Sequence, residues 1–445
     1  MSNPPSRNLI LDYYDRLPDV IAECVPDTAP VKETTAFSPG FALPTLDDDV
    51  REFFSVADAR WWHLADHDSG RVMLLDLTRN PGTRTTKTLA SLLIVARAVE
   101  YIRRTGEPVL IFSPTSANKG TALRDAVRRA IACGLATPDQ LRIAILAPAN
   151  CREKLRGGGP DPDLNPVFLY GGERAEDVKA IGREFVNTYA GKLRANVWFS
   201  LELNNYLIGD AARAFFEHDV DPTPAASPRL HAHAVSSAFG LLGYNVGRRM
   251  LERSGAANAT DRPAFLLVQH LGAPDMVINL RHGDFDRGHL PDYAIDPATG
   301  LYAQSTDPRF PAVTYDPAEV LDPTFYTHEP ATSPAMNELI GQHGGDGIVV
   351  SLHECIQRYP TVRRWLSGTD RQLPADLRVL REWSLVMAMT GVLNALDRDL
   401  IGAGRDIVVH GSGTYGATDY PPLDASAAVP VRDAEDVARA LLAAE

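Results

Sequence analysis

Lysine is nearly absent from this chain of 445 residues: six occur, at positions 32, 87, 119, 154, 179 and 192, among 44 basic residues. A genomic bias towards arginine explains most of that ratio. Each retained lysine is still a candidate for a task arginine cannot perform, because only lysine releases its proton when buried. Cysteine is scarce as well. Cys24, Cys133, Cys151 and Cys355 are far apart and form no Cys-x-x-Cys pair, which argues against a disulfide scaffold or a zinc ribbon and fits a reducing cytoplasm. No apolar run approaches the ~20 residues a membrane span needs. The start, MSNPPSRNLILDYYDRLPDV, lacks a basic segment followed by an apolar stretch, so a secretory signal is not expected. Positive charge is in deficit: a net charge of −13 argues against general affinity for nucleic acid or an anionic membrane. There is no internal repeat and no low-complexity tract.

What remains is an ordinary globular composition, 44% hydrophobic and 23% charged, long enough for about two to four lobes. From residue 72 the pattern is regular. VMLLDL (72–77) reads as a buried strand, TRNPGTRTTK (78–87) as a polar loop, and LASLLIVARAVEYIRR (89–104) as a helix stopping before Gly106. PVLIFSP (108–114), LRIAILAP (141–148) and PVFLYGG (166–172) are further buried strands. The loop TSANKG (115–120) runs into a helix, and AEDVKAIGREFVNTY (175–189) is another. Strands alternating with helices at this spacing imply parallel sheets with right-handed crossovers. After 195 the alternation resumes, with a strand and helix over 196–217, a linker at 221–228, strand, loop and helix over 229–255, and a strand at 264–272. Residues 281–345 carry many His, Asp, Pro, Tyr and Gly with little periodicity, as a lid, a dimer arm or an insertion would. LREWSLVMAMTGVLNALDRDL reads as an amphipathic helix, RDIVVHGSG as a strand entering a Gly-rich loop, and VRDAEDVARALLAAE as a terminal helix.

In parallel α/β sheets ligands bind beyond the carboxyl ends of strands. Four loops fall there: 78–87, 115–120, 235–240 and 410–416. Each is rich in Ser, Thr, Asn and Gly and none carries an Asp, Glu and His cluster. Such loops hold anions through backbone N–H groups and hydroxyls at helix N-termini. Lys87 lies between one of them and a helix. The helix dipole there favours the neutral amine and so a nucleophile; a solvated lysine is the bland reading. His231 and His233 share one face of a strand, with packing favoured over metal ligation since no acidic or cysteine partner is near in sequence. His282, His289, His328 and His343 belong to the irregular stretch, as a lid or a solvated loop. GGGP (157–160) reads as a turn and Cys133 as core.

The order of these pieces resembles the fold type II family of pyridoxal-phosphate enzymes, which includes threonine synthase, cysteine synthase, threonine dehydratase and the tryptophan synthase β subunit. The resemblance covers about residues 70–280 and 345–420. NPGTRTTK (80–87) is similar to the family's Asn-Pro-Thr-Gly-Ser-Phe-Lys segment, TSANKG to Ser-Ser-Gly-Asn-Thr-Gly, and SSAFGLLG (236–243) to the Gly-Asn-Phe-Gly phosphate loop. EWSLVMAMTGVL (382–393) is similar to the Glu-Pro-Ala-Gly-Ala helix, and VVHGSGTYG (408–416) to the loop that serves the pyridine nitrogen. The resemblance implies an α/β fold of two lobes, each a mostly parallel twisted sheet flanked by helices. It implies a small mobile lobe at 88–195, a large lobe at 196–445, and an arm with part of the large lobe at 1–87. It makes Lys87 the imine-forming lysine, with Asn118 on the cofactor's 3-hydroxyl. Thr115, Ser116, Asn118 and Lys119 would bind substrate, and Ser236, Ser237, Ala238, Phe239 and Gly240 the phosphate. Either Ser412 or His410 would face the pyridine nitrogen. No metal is implied. A cytoplasmic homodimer acting on an amino acid by β- or γ-elimination or replacement follows, with a threonine synthase- or dehydratase-like lyase, or a catalytically degenerate binding subunit, as alternatives. The departures are Thr88-Leu89 in place of Asp-Arg, Lys119 in place of threonine, and Ser236, Ser237 and Ala238 in a loop usually richer in glycine.

Overall fold

The computed structural model describes residues 4–25, 37–67, 70–175, 177–200, 203–222, 228–402 and 404–444; the expected linker at 221–228 lies mostly outside them. The chain divides into two compact units. Unit 1 gathers Met1–Arg7, Ala59–Arg79 and Asp210–Tyr415, and unit 2 gathers Asn8–Asp58, Asn80–Gly209 and Gly416–Glu445. The segment 88–195 therefore falls in unit 2, together with stretches from both ends of the sequence.

Unit 1 is built on a seven-stranded sheet in the order Ser6–Asn8, Asp58–His67, Gly70–Asp76, Ile407–Gly411, Leu230–Ala234, Ala264–His270, Gly345–Val350. From Gly70–Asp76 onward all pairings are parallel, and the hairpin of Asp58–His67 with Gly70–Asp76 is antiparallel. Strands Gly70–Asp76 and Ala264–His270 carry the apolar runs VMLL and AFLLV because both faces are covered. On one face, helix Ser384–Asp397 sets Leu385, Met389 and Val392 into a core with Leu74, Leu266 and Ile348. Gly391 permits that close approach, since a Cβ there would stand 2.6 Å from the Val268 side chain. Residues 281–345 hold more order than their sequence suggests. Three two-residue strands, Ala294–Ile295, Tyr302–Ala303 and Val313–Thr314, pair antiparallel, and helix Ser333–His343 follows. Strands that short leave no periodicity to read.

Unit 2 carries a five-stranded, wholly parallel sheet in the order Ala428–Val431, Val167–Tyr170, Leu141–Pro148, Val109–Pro114, Asn196–Phe199. Helices Lys87–Thr105 and Asn118–Ala132 pack together, while Asp177–Thr188 and Ala434–Ala443 share a core of Phe112, Phe168, Phe185, Val437 and Leu441. Helix Lys87–Thr105 stops at Gly106 in the left-handed conformation (φ 75°), as its position predicts. The edge strand Ala428–Val431 was not expected; it contains Pro430, which only an edge tolerates. Cys133, expected in the core, is half-buried at the end of helix Asn118–Ala132.

Candidate functional site

In unit 2 Lys87 opens helix Lys87–Thr105, and the preceding Thr86 gives no side-chain cap. The Lys87 amine lies 4.8 Å from the centroid of the Tyr206 ring. That cation–π contact offsets an unfavourable placement at the positive end of the helix dipole. The loop before it is a fixed structure. Arg156 donates from Nη1 to the carbonyls of Pro81 (3.2 Å) and Gly82 (2.7 Å), and from Nη2 to that of Thr83 (2.6 Å). Asn80 donates to Asp125 at 2.9 Å and accepts from the Gly82 N–H at 2.9 Å. Thr83 and Thr88 share a hydrogen bond of 2.6 Å. Thr83, Thr85 and Thr86 are buried, so the polar sequence here folds back on itself.

The second loop of unit 2 links strand Val109–Pro114 to helix Asn118–Ala132. Ala117 heads the helix at φ 95°, a conformation that costs a non-glycine residue about 1–3 kcal/mol. Thr115 Oγ1 accepts from the N–H groups of Ala117 (3.2 Å) and Gly120 (2.9 Å), taking the place of a cap. Gly120 is glycine because a Cβ would meet the Thr115 methyl at 2.7 Å. Ser116 and Asn118 are half-buried. Lys119 is buried, and its amine donates to the Ser200 carbonyl. Burial first, then the charges of Lys87 and Lys179, pull its pKa down to about 7.

In unit 1 the loop after strand Leu230–Ala234 leads into helix Phe239–Arg253. Ala238 heads that helix at φ 47° with no side-chain cap. The irregular stretch braces this loop: Ser236 Oγ donates to Thr327 Oγ1 at 2.9 Å, and Thr332 Oγ1 donates to the Ser237 carbonyl at 2.7 Å. Behind Gly240 sits Arg213, wholly buried; a Cβ on Gly240 would stand 2.7 Å from its Nη1. Phe239 and Gly240 continue into the helix.

Arg213 begins a buried polar chain. It pairs with Asp210 at 2.6 Å and donates from Nη1 to His410 Nδ1 at 3.0 Å. His410 Nε2 lies 2.9 Å from His231 Nδ1, and His231 Nε2 faces Glu217 at 3.6 Å. Glu217 accepts from Arg229 (2.6 Å) and the Tyr244 hydroxyl (2.7 Å). Since arginine only donates, His410 carries its proton on Nε2 and gives it to His231. Both imidazoles are held neutral. Burial, followed by His231 and Arg213, puts the His410 pKa well below its usual value, and burial lowers that of His231 to about 4. Burial alone would raise the Glu217 carboxyl, but the charge and hydrogen bond of Arg229 and the Tyr244 hydrogen bond outweigh it and hold it low. Both nitrogens of His410 are thus engaged. Ser412 is buried just past the end of strand Ile407–Gly411. Next to it, a Cβ on Gly413 would stand 2.8 Å from Cγ of the buried Glu382, whose carboxylate accepts from Ser384.

The sequence-predicted residues thus fall in two groups: Lys87, Thr115, Ser116, Asn118 and Lys119 in unit 2, and Ser236, Ser237, Ala238, Phe239, Gly240, His410 and Ser412 in unit 1. Arg213, Glu217, Arg156 and Tyr206 were not singled out. Arg213 and Glu217 did leave a signal, an Arg and a Glu four apart in the apolar run AARAFFE. His233 Nδ1 lies 2.7 Å from the Ala234 carbonyl. In the irregular stretch His282 stacks on His289, with ring centroids 3.9 Å apart, and His328 lies 3.3 Å from Asp275. Among the described residues no three His, Cys, Asp or Glu gather as metal ligands, and no helix is long and apolar enough to cross a membrane.

A family model, described as a family of unknown function (DUF6002), matches residues 5–445, and the chain belongs to that family. No curated protein matches the chain. Among solved structures it is similar to the threonine synthase of Escherichia coli, with a TM-score of 0.57 and 13% identity over 98% of this chain and 89% of that one. It is similar also to the threonine synthase of Brucella melitensis with pyridoxal phosphate bound (TM-score 0.53, 12% identity, 89% of this chain and 84% of that one). The yeast threonine synthase gives a TM-score of 0.53 at 11% identity, covering 89% and 84%. The fold is that of these enzymes: parallel sheets flanked by helices in an α/β chain.

Proposed function

We propose that this member of the DUF6002 family binds pyridoxal phosphate through Lys87 and acts on an α-amino acid by β- or γ-elimination or replacement. The pair of left-handed alanines carries the reading. Ala117 and Ala238 stand where the resembled motifs have Gly and Asn, the residues that reach positive φ most readily. Each keeps the bend, at φ 95° and 47°, and neither alanine supplies a cap of its own, although Thr115 Oγ1 takes two N–H groups at the first. A bend that costs about 1–3 kcal/mol persists where the surroundings or a function demand it. A helix N-terminus headed by a bare methyl group suits a phosphate or carboxylate.

Bound there, the cofactor would supply an electron sink for charge developing at the substrate α-carbon. The other roles belong to the chain. In unit 2 the Lys87 amine would hold the cofactor aldehyde and then take the α-proton at Nζ. Asn118 would hydrogen-bond the ring hydroxyl, and Thr115, Ser116, Asn118 and Lys119 would seat the substrate carboxylate. Lys119, with a pKa near 7, would add a donor there without a full second charge beside Lys87. In unit 1 residues 236–240 would cradle the phosphate. Ser412 would meet the pyridine nitrogen, because His410 spends both its nitrogens on Arg213 and His231. A hydroxyl partner at that position suits elimination and replacement.

The test is a visible absorbance spectrum of the purified chain before and after borohydride, followed by peptide mapping. The label is expected on Lys87; a label on Lys119, or none, would overturn the assignment. Keto-acid and ammonia release from a panel of amino acids then marks dehydratase-like chemistry, while a new amino acid formed without keto acid marks replacement or threonine synthase-like chemistry. A binding subunit without catalysis is the second reading, supported by Thr115, whose hydroxyl oxygen already accepts two backbone N–H groups. It predicts neither a keto acid nor a new amino acid from any member of the panel. The reading includes a homodimer, which light scattering would register.

A further inference from the structure

Unit 2 contains a pocket of about 190 Å³ whose walls come from helix Asn118–Ala132, the segment Arg156–Gly159, Pro81–Gly82 and Asp419–Pro421. Three guanidiniums line it, those of Arg124, Arg128 and Arg156, against the carboxylates of Asp125 and Asp419. Asp125 is paired with Arg128 at 2.8 Å and Asp419 with Arg84 at 3.1 Å, so the acids are already matched.

Arg124 is the anomaly. It is 6% exposed, and among the described residues its guanidinium makes one hydrogen bond, from Nη1 to the Asn165 carbonyl at 2.7 Å, with no carboxylate partner. Burial alone lowers its pKa to about 10. A buried charge without a counterion is costly. The local sequence nevertheless makes room for it: a Cβ on Gly159 would stand 2.4 Å from Arg124 Nη2. Gly157, Gly158 and Gly159 leave that wall as bare backbone, which lets a ligand approach closely.

We propose that this pocket binds a small phosphate-type oxyanion, either inorganic phosphate or the phosphoryl group of a small metabolite, with the Arg124 guanidinium as its principal counter-charge. Arginine's planar fork matches such an oxyanion in two-point geometry. Arg124 has Nε and Nη2 left over for it, and Arg128 at the rim adds charge. Arg156 ties the pocket to the neighbouring loop, since the same guanidinium holds the carbonyls of Pro81, Gly82 and Thr83. An occupied pocket therefore stiffens the run that ends in Lys87. The proposal does not rest on the cofactor reading.

The experiment is calorimetric titration of the full-length chain, saturated with pyridoxal phosphate and dialysed free of unbound cofactor, with inorganic phosphate and separately with glycerol 3-phosphate, each at fixed ionic strength against chloride. Saturation keeps the helix terminus at 236–240 from contributing. Binding is expected for at least one of the two, weakened at least tenfold in Arg124→Met and several-fold in Arg128→Gln, which lies on the surface and will fold. Tighter binding of glycerol 3-phosphate, with displacement of phosphate, identifies a metabolite as the source; binding of phosphate alone identifies the free ion. Either result supports the site. Absence of any heat beyond chloride, or equal affinity in wild type and both variants, overturns it. Lys87→Ala is expected to retain phosphate binding, and Arg128→Gln to retain any cofactor absorbance, so failure of one reading is distinguishable from failure of the other.

Discussion

Lys119 makes protein stability a sensitive function of pH. Its amine is buried against the Ser200 carbonyl, with Lys87 and Lys179 adding repulsion, and its pKa falls to about 7. In the unfolded chain the same amine titrates near ~10.4. Between those values the unfolded chain keeps a proton that the folded chain has released. Stability therefore rises as pH climbs from about 7 to about 10.4, and the full cost of folding around the charged amine is present below about 7. One pKa unit corresponds to ~1.4 kcal/mol, so a gap of three to four units sets that cost on the order of 5 kcal/mol. Lys119→Met removes the charge at similar volume and forfeits a hydrogen bond worth ~1 kcal/mol. The variant is expected to be more stable than wild type by a few kcal/mol at about pH 6, to lose that advantage steadily as pH rises, and to be slightly the weaker by about pH 10. Urea unfolding of both proteins across that range, followed by circular dichroism, reads the difference directly, and contributions from other titrating groups cancel. Parallel pH profiles for the two proteins would refute the reasoning.

Three further outcomes follow from unit 1. Gly240→Ala gains ~1 kcal/mol of helix propensity but drives a methyl to within 2.7 Å of the pinned Arg213 guanidinium; overpacking of ~1–3 kcal/mol should win, seen as a lower melting temperature and weaker cofactor retention. His410→Leu leaves Arg213 and His231 each short of a buried partner, a loss of roughly 2–4 kcal/mol in denaturant unfolding; an unchanged midpoint would mean the chain of contacts contributes nothing. Thr332→Val removes the hydrogen bond to the Ser237 carbonyl, costs ~1 kcal/mol, and should speed amide exchange across 236–240 by mass spectrometry, where equal protection would dismiss the bracing role.

The fold was legible because its central strands announce themselves. VMLLDL, PVLIFSP and LRIAILAP are predominantly apolar and buried, and the first two lead through polar loops into helices. That the polar, small-residue loops at 115–120 and 235–240 each lead into a helix was legible in the sequence. Their shape was not: nothing in a one-letter Ala announces a positive φ, and the bends at Ala117 and Ala238 appear only once the backbone is traced. Nor was the chain from Arg213 through His410 and His231 to Glu217, because its members are up to 197 positions apart and periodicity reports only neighbours on one element. Strand Ala428–Val431 was hidden by its proline, and the short strands within 281–345 by their length.

That same irregular segment bears on any attempt to miniaturise the protein. Thr327 and Thr332 reach back 91 and 95 positions to tether Ser236 and Ser237. Excising the segment would cut both guy-ropes of a bend that alanine adopts only under duress, so a trimmed version must restore two hydroxyls by other means or accept a slack helix entrance.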